Sequence, residues 1–380
     1  MKYEKNPDIR PPIQPEDRDV GPCRVSIIVK ALNEEKGIAT TLEGALRAVA
    51  ITGGEVILAD SCSTDRTVEI ARRYPVRIVQ LAHPQERCCG IGPQLGYQHA
   101  RGEFLYLVDG DMELVDGFLE QALAFLHDHP DIAGVGGNVL EKNLSSLEYQ
   151  VRHGIWAQIK SGETSRLDCG GLYRRSAIEA AGYFSDRNLH SYEEFDLGAR
   201  LRSLGWSLWR IPVDAVSHYG HETPPYQLLL RRWHSRYICG LGELLRASGR
   251  EPRLRMVLRE IRELRLYAAV LLWWLALLSI PFWSVTADVA IAAGPILLTA
   301  PVGLMSWRKR SFQSGLYSVV SWCFNTAGLV RGLLRMQTPA RHTIDSRILQ
   351  EADYTPIPQK AKKHPKSDAI PSTASEWAIP

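Results

Sequence analysis

The sequence predicts an α/β domain with a mostly parallel sheet, followed by C-terminal transmembrane helices. Three observations predict this fold class. Short apolar runs alternate with helical patterns in the first third of the chain, polar residues follow those runs, and long uncharged segments occupy the last third. Alternating strands and helices are typical of a parallel sheet. The 380 residues suffice for two parts, since a domain has roughly 100–200 residues.

The apolar runs and the patterns between them define the predicted elements. The run 25–29 is rich in Val and Ile, as expected of a buried strand. Residues 1–22 are polar and Pro-rich and lack the apolar core of a secretory signal, so we expect a disordered arm. Strands are predicted at 24–30, 55–59, 76–79 and 104–108, and helices at 38–49, 67–73 and 92–100.

Composition narrows the function classes. The 45 basic and 42 acidic residues give a net charge of +3, which argues neither for nor against nucleic acid, and we expect no nucleic-acid partner. The seven cysteines have no paired metal spacing and are too sparse for a secreted disulfide scaffold. Reduced thiols of a cytosolic domain are therefore expected.

Polar residues follow three of the predicted strands. Asn33 and Glu34 follow the first, Asp60 ends the second, and Asp109 and Asp111 follow the fourth. The carboxyl ends of parallel strands are where such sheets bind ligands. Residues i and i+2 of an extended chain point the same way, so the last pair is expected to bind Mg²⁺ or Mn²⁺. Alone, an Asp-x-Asp pair is also typical of a solvated turn.

Two uncharged runs, 266–285 and 289–307, are long enough to cross a bilayer as helices. Ten arginines and four glutamates lie between Arg231 and Arg265, and a basic triplet follows the second run. The positive-inside rule places both basic segments in the cytoplasm and disfavours a third full span. The alternative is a set of buried core helices in a soluble domain.

Several motifs in one order carry a family resemblance. Residues 25–29 with Asn33-Glu34-Glu35, then 59–65, 108–111, 170–175 and 193–197, resemble the family 2 inverting glycosyltransferases. The resemblance covers residues 23–235. It implies a GT-A fold, a Rossmann-like sheet that binds a nucleotide-diphosphate sugar.

The resemblance also implies roles for the donor-side residues. Asp60 would accept the imide N–H of a nucleobase, usually uracil. Asp109 would face the ribose or assist the metal, and Asp111 would ligate the metal at the diphosphate. Pro93 and Gln94 stand where the family often has Arg and Asn. Arg87 could replace the lost phosphate contact, and Asn33 and Glu34 complete the predicted donor site.

The same resemblance assigns the acceptor side. Glu194 matches the general base, which takes the proton of the attacking hydroxyl. Glu193, Gly170 and Gly171 are expected beside it. Acidic residues that open a helix also complement its dipole, which is the structural alternative. Asp196 is expected to fix the helix start or a basic neighbour, and Asp65 to brace the helix after it.

Two further motifs are weaker. Some related transferases complete the metal site with a histidine from the region of His218 and His221, and His218 is the better candidate. Arg232 and Trp233 resemble the end of the Gln-x-x-Arg-Trp motif of processive synthases, with Leu229 in place of Gln. We expect this pair at the membrane surface on the acceptor side, near the donor phosphates.

Together these observations predict a membrane-anchored glycosyltransferase that uses Mn²⁺ or Mg²⁺. It would move a sugar, expected to come from a UDP-linked donor, to a lipid-linked or polysaccharide acceptor. The site is predicted at the cytoplasmic face of the inner membrane, in a multi-pass protein. The predicted divisions are an arm (1–22), a GT-A domain (23–225), basic interfacial helices (226–265), two transmembrane helices (266–307), a membrane-surface or re-entrant helix (308–336) and a disordered tail (337–380).

Three other function classes share part of this pattern. A processive polysaccharide synthase would normally have more spans and the complete Gln-x-x-Arg-Trp motif. A dinucleotide-dependent oxidoreductase would need a Gly-rich turn after the first strand, and residues 31–34 do not form one. A catalytically inactive membrane scaffold would not need Asp109, Asp111 and Glu194.

Overall fold

The computed structural model describes residues 24–142, 161–168, 170–219, 223–249, 252–282 and 287–352. The predicted arm, residues 353–380 of the predicted tail, and His221 lie outside the described residues.

The N-terminal half of the sheet follows the predicted alternation. Four strands pair in parallel in the order β3-β2-β1-β4. Helices connect them, and each face of the sheet carries its own apolar core, which explains why the strands are apolar at nearly every position. The elements are β1 (Val25–Ala31), α1 (Ile38–Thr52), β2 (Gly54–Asp60), α2 (Thr67–Ala71), β3 (Arg77–Leu81), α3 (Ile91–His99) and β4 (Phe104–Asp109).

The second half of the sheet is mixed and brings distant residues to the end of β4. Its strands are β5 (Met112–Leu114), β6 (Ile132–Glu141), β7 (Gly162–Glu163), β8 (Gly171–Arg174) and β9 (Ser207–His218). Strand β8 runs antiparallel to β4, and β9 is parallel to β6 but antiparallel to β5. Helices α4 (Phe118–Asp128), α5 (Arg175–Ala181) and α6 (Glu193–Ser203) complete this half. The α/β class with a mostly parallel sheet is therefore confirmed.

The basic helices predicted at 226–265 share a core with the sheet domain. They are α7 (Pro225–His234), α8 (Gly240–Ala247) and α9 (Pro252–Glu260). Phe195 of α6, Leu241 of α8 and Val257 of α9 are buried in one cluster. Arg253 pairs with buried Asp196, so part of the basic belt neutralises charge inside the protein.

Three long helices follow: α10 (Glu263–Ser279), α11 (Ala287–Lys309) and α12 (Phe312–Leu334). Among the described residues, one helical segment, Glu263–Phe282, is long and apolar enough to cross a membrane, and very few of its residues are buried. Helix α12 packs closely on α8. The two helices approach so near at Gly242 that a Cβ there would collide with the carbonyl oxygen of Leu329. The bilayer placement of α10, α11 and α12 stays a prediction.

The predicted disorder of 337–380 is wrong for residues 337–352. After α12 the chain runs back over the domain, and β10 (Ser346–Gln350) pairs antiparallel with β3. Ile344 and Ser346 are buried, and Ser346 Oγ lies 3.0 Å from His99 Nε2. This strand covers an edge of the sheet that would otherwise expose unpaired backbone groups. The Pro- and Lys-rich composition that suggested disorder belongs to residues beyond 352.

Candidate active site

Glu34 lies near enough to Asp109 and Asp111, where β1 and β4 end, to feel the charge of both carboxylates. Glu34 packs against Gly110, where a Cβ would lie 3.0 Å from Glu34 Cγ, so glycine makes room for this side chain. Burial, followed by the charges of Asp111 and Asp109, raises the pKa of Glu34 to about 8. These neighbouring carboxyl groups concentrate negative charge that a cation would relieve.

His218 joins this cluster through strand pairing. It lies opposite Met112 in β5 and opposite Glu141 in β6. Its Nε2 is 3.4 Å from Asp111 Oδ2, and its Nδ1 is 2.9 Å from Glu141 Oε2. Burial opposes protonation, but the hydrogen bonds and charges of Asp111 and Glu141 raise the His218 pKa to about 9.

The donor set is suited to a divalent cation bound with substrate. Within the described part of the chain, no three His, Cys, Asp or Glu side chains are grouped as a complete metal site. Mg²⁺ and Mn²⁺ sites of nucleotide enzymes often take only one or two protein ligands, with phosphates and water supplying the rest. A carboxylate on Nδ1, here Glu141, is the usual outer partner of a metal-binding histidine. Asp111 and His218 therefore fit such an ion.

The predicted nucleobase residue, Asp60, is fully buried at the end of β2. Its Oδ2 accepts hydrogen bonds from Gln80 Nε2 at 2.8 Å and from the Ser63 backbone N–H at 3.0 Å. Arg87 donates to the carbonyl oxygen of Cys62 beside it.

Asn33 organises this loop. Its Oδ1 accepts from the Thr64 N–H at 2.7 Å, and its own N–H donates to Ser63 Oγ at 2.9 Å. Asp65 Oδ1 accepts from the Thr67 N–H at 3.0 Å, so the prediction that Asp65 braces the next helix is confirmed. Asn33 thus links the first and second strand ends at the predicted donor site.

The acceptor-side residues lie beside the end of β4. Gly171 is paired with Leu107, and Gly170 has a left-handed φ of 74°, which favours glycine. Glu193 and Glu194 open α6. Asp196, in the same turn, pairs with Arg200 at 2.8 Å and Arg253 at 2.9 Å, which confirms its predicted basic neighbour.

Lys30 connects the two sides, and sequence reasoning missed it. Its Nζ is 3.1 Å from Asp109 Oδ1 and 3.5 Å from Glu193 Oε1. Although burial opposes it, the charges of Asp109, Glu193 and Glu194 hold the Lys30 pKa well above its usual value. The available signal was a lysine near the end of an otherwise apolar strand.

Glu194 has the electrostatics of a group that exchanges protons near neutral pH. Burial raises its pKa to about 8, with Lys30 opposing the rise and Glu193 and Asp168 adding to it. A carboxylate with such a pKa suits general-base chemistry better than an ordinary surface glutamate.

Gln94, Arg232 and Trp233 have structural contacts. Gln94 Oε1 accepts from the Phe184 N–H at 2.9 Å and so braces the segment that leads to α6. The Arg232 guanidinium lies 5.3 Å from the Tyr237 ring centroid, and Trp233 packs edge-on against Phe324 of α12. Arg231, the residue before Arg232 in α7, also acts on Glu34. Burial and the neighbouring carboxylates raise the pKa of Glu34, and the positive charge of Arg231 partly opposes that rise.

The parallel sheet, with acidic groups gathered at its carboxyl edge, has the arrangement by which α/β proteins bind nucleotides. The model of Glycosyl transferase family 2 matches residues 26–182. EpsE of Bacillus subtilis (strain 168) is 30% identical over 198 residues, which cover 48% of this chain and 68% of EpsE. The chain belongs to glycosyl transferase family 2.

Other comparisons are more distant. EpsH of the same organism is 26% identical over 167 residues, and the match covers 41% of this chain and 48% of EpsH. The chain thus spans about half the length of that relative. A solved structure with a similar fold is that of mannosyltransferase PcManGT from Pyrobaculum calidifontis in complex with GDP-Man and Mn²⁺. The two superpose with a TM-score of 0.53 at 18% identity, and the match covers 87% of this chain and 91% of PcManGT. This likeness supports the shared fold.

Proposed function

We propose that the chain is an inverting, divalent-metal-dependent glycosyltransferase. The observation that carries the proposal is the placement of Lys30 between Asp109 and Glu193, which brings the donor-side carboxylates and the acidic start of α6 to one site. A donor bound at the carboxyl edge would therefore lie next to a proton acceptor. Family membership supports the same reaction class.

In the proposed reaction, an acceptor hydroxyl attacks the anomeric carbon of the donor sugar. The new carbon–oxygen bond forms as the bond to the diphosphate breaks, and the electron pair leaves with the nucleoside diphosphate. Glu194 takes the hydroxyl proton on a carboxylate oxygen. A divalent cation held by Asp111 and His218 would neutralise charge on the departing diphosphate.

The donor we propose is a UDP-sugar. A uracil presents one imide N–H, and Asp60 offers a carboxylate to accept it. Its Oδ2 already has two donors, whereas Oδ1 has only a longer contact of 3.3 Å with the Ser63 N–H. The remaining acceptor capacity suits a single N–H. Asn33 would position the 61–65 loop against this donor, and Glu34 would lie beside the cation.

We further propose that the acceptor is lipid-linked or a polysaccharide at the cytoplasmic face of the inner membrane. The exposed apolar side chains of Glu263–Phe282 support a membrane anchor, and the basic belt before it suits an anionic membrane surface. Trp233 of α7, an acceptor-side residue of the proposal, contacts Phe324 of α12, so a membrane at α12 would lie beside the acceptor side.

A donor panel tests the proposed function. Detergent-purified protein is incubated with UDP-, GDP- and dTDP-sugars, with and without Mn²⁺, and release of nucleoside diphosphate is measured. We expect metal-dependent release from a UDP-sugar, at a rate that Glu194→Gln lowers and the exposed control Glu103→Gln does not. No release from any donor would contradict the enzyme proposal and favour an inactive scaffold. Polymer built on the acceptor would favour a processive synthase.

A further inference from the structure

Lys30 and Asp109 are paired by the sheet itself. They are register partners in the parallel β1–β4 ladder, so their side chains lie on the same face at adjacent strand ends. The Nζ–Oδ1 distance is 3.1 Å, and the two side chains are 19% and 31% exposed. Because they are largely shielded from water, their attraction is stronger than that of a surface pair.

The same ammonium group reaches the first turn of α6. Glu193 Oε1 lies 3.5 Å from Lys30 Nζ, and the Glu193 side chain is 11% exposed. Helix α3 makes room for the lysine, since a Cβ at Gly92 would lie 2.8 Å from Lys30 Cβ. One cation therefore bridges β4 and α6, which are joined in sequence only through more than 80 intervening residues.

We propose that Lys30 is a positioning residue for sugar transfer, which holds the start of α6 against the end of β4 and provides the positive charge beside Glu194. This role rests on the proposed function, in which Glu194 is the base. Within that function the lysine acts on the base through Glu193 and Glu194, and Asp109 is the partner that fixes it to the end of β4.

The charges around Glu194 explain why a cation is needed there. Glu193 from its own helix, Asp168 from the segment before β8 and Asp109 from β4 all disfavour a second negative charge, as does burial. Arg166 is paired with Asp168 at 2.8 Å. Lys30 is the strongest charge that opposes these effects at Glu194, and Arg166 also interacts favourably with this carboxylate. Removal of the Lys30 charge is expected to raise the Glu194 pKa further, so that less of the base is ionised at neutral pH, and to leave α6 less firmly placed.

Two substitutions separate charge from packing. Lys30→Met retains most of the side-chain volume without the charge, and Lys30→Arg retains the charge. The exposed Lys36→Met is the matched control. For each full-length protein, kcat, the donor KM and the pH profile of kcat between pH 6 and 9.5 are measured with the donor that the wild type uses, and thermal unfolding checks the fold.

We expect Lys30→Met to lower kcat at pH 7 by roughly tenfold or more and to move the rise of kcat to higher pH, since one unit of pKa is a factor of ten. The donor KM should change less than kcat, and Lys30→Arg should restore most of kcat. An unshifted pH profile, or Lys30→Arg as defective as Lys30→Met, would overturn the Lys30 role alone. A wild type that transfers no sugar would overturn the proposed function and this role with it.

Discussion

Asp111 and His218, 107 positions apart in the chain, lie with Oδ2 and Nε2 3.4 Å from each other. Strand β9 places them together, because His218 is paired with Met112, the residue after Asp111. Glu141 holds the other ring nitrogen at 2.9 Å. The imidazole is thus oriented with Nε2 toward the acidic cluster, which is the orientation a metal ligand requires.

Asp111→Asn and His218→Ala are each expected to weaken Mn²⁺-dependent nucleotide binding by roughly tenfold or more, because each removes one of the few protein ligands. Isothermal titration of nucleoside diphosphate at several Mn²⁺ concentrations measures this. The control is Asp116→Asn, since Asp116 is an exposed surface carboxylate. An unchanged metal dependence in either variant would exclude that residue from the site.

Glu194→Gln is expected to lower sugar transfer by about 10²–10⁴-fold, the usual contribution of a general base, while nucleotide affinity is retained. In the wild type the rate should rise with pH and level off above about pH 8, because the base must be ionised and burial raises its pKa to about 8. A pH–rate profile measured with saturating donor shows whether the rate rises with pH as expected. Loss of donor binding in Glu194→Gln would argue against its role as the base.

The buried group of His190, Glu243 and Arg335 ties α12 to the segment before α6. Glu243 Oε1 lies 2.9 Å from His190 Nδ1 and 2.8 Å from Arg335 Nη1. Glu243→Gln is expected to lower the free energy of unfolding by about 3–5 kcal/mol, since it breaks a buried ion pair. Chemical denaturation in detergent measures this loss, and Glu260→Gln at a more exposed pair should cost under about 1 kcal/mol.

Acid should weaken the same network. Burial alone would raise the pKa of Glu243, but hydrogen bonds and charge from His190, with Arg335, lower it below its usual value. Its stabilisation is therefore present above the unfolded pKa of about 4.3 and lost as pH falls through the lower folded value. Unfolding midpoints of the wild type and Glu243→Gln should converge in acid. A constant difference down to pH 3 would contradict this linkage.

Ile344→Ala tests whether the C-terminal return segment belongs to the folded domain. Ile344 is 1% exposed, so the substitution should lower the free energy of unfolding by about 2–5 kcal/mol. The neighbouring exposed Thr343→Ala should change it by less than about 0.5 kcal/mol. Urea unfolding followed by tryptophan fluorescence compares the two. Equal midpoints would mean that this segment does not contribute to the fold.

Leu272→Arg tests the proposed membrane anchor. Leu272 is 67% exposed near the middle of Glu263–Phe282. A central arginine disfavours insertion by about 2.5–3.5 kcal/mol, so the fraction of protein in the membrane pellet should fall. Leu204→Arg, at an exposed position of the sheet domain, is the control. Unchanged membrane recovery of Leu272→Arg would argue against insertion of this helix.

Local patterns were enough to predict the alternation of strands and helices, because apolar periodicity reflects which faces are buried. The strand ends at Asp60 and Asp109 could be located for the same reason. For Asp196 the sequence predicted a basic neighbour without saying which one. Arg253 could not be identified because it belongs to a helix 57 residues further along the chain. The contacts of Trp233 with α12 also depend on packing that no local motif encodes.

The C-terminal strand β10 could not be predicted from local sequence. Residues 346–350 carry too short a pattern to be distinguished from the polar sequence around them. Their extended structure is fixed by the open edge of β3, which exists only once the sheet has formed.

The sequence by itself determined the α/β class, the family resemblance and the acidic strand ends, since each is written in contiguous residues. Tertiary structure decided which of these groups meet. Strand order brought His218 to Asp111, and the juxtaposition of β1, β4 and α6 made Lys30 the shared partner of Asp109 and Glu193. The physical reason is that charge–charge interactions depend on distance in space, which pairing between remote strands sets and local sequence does not.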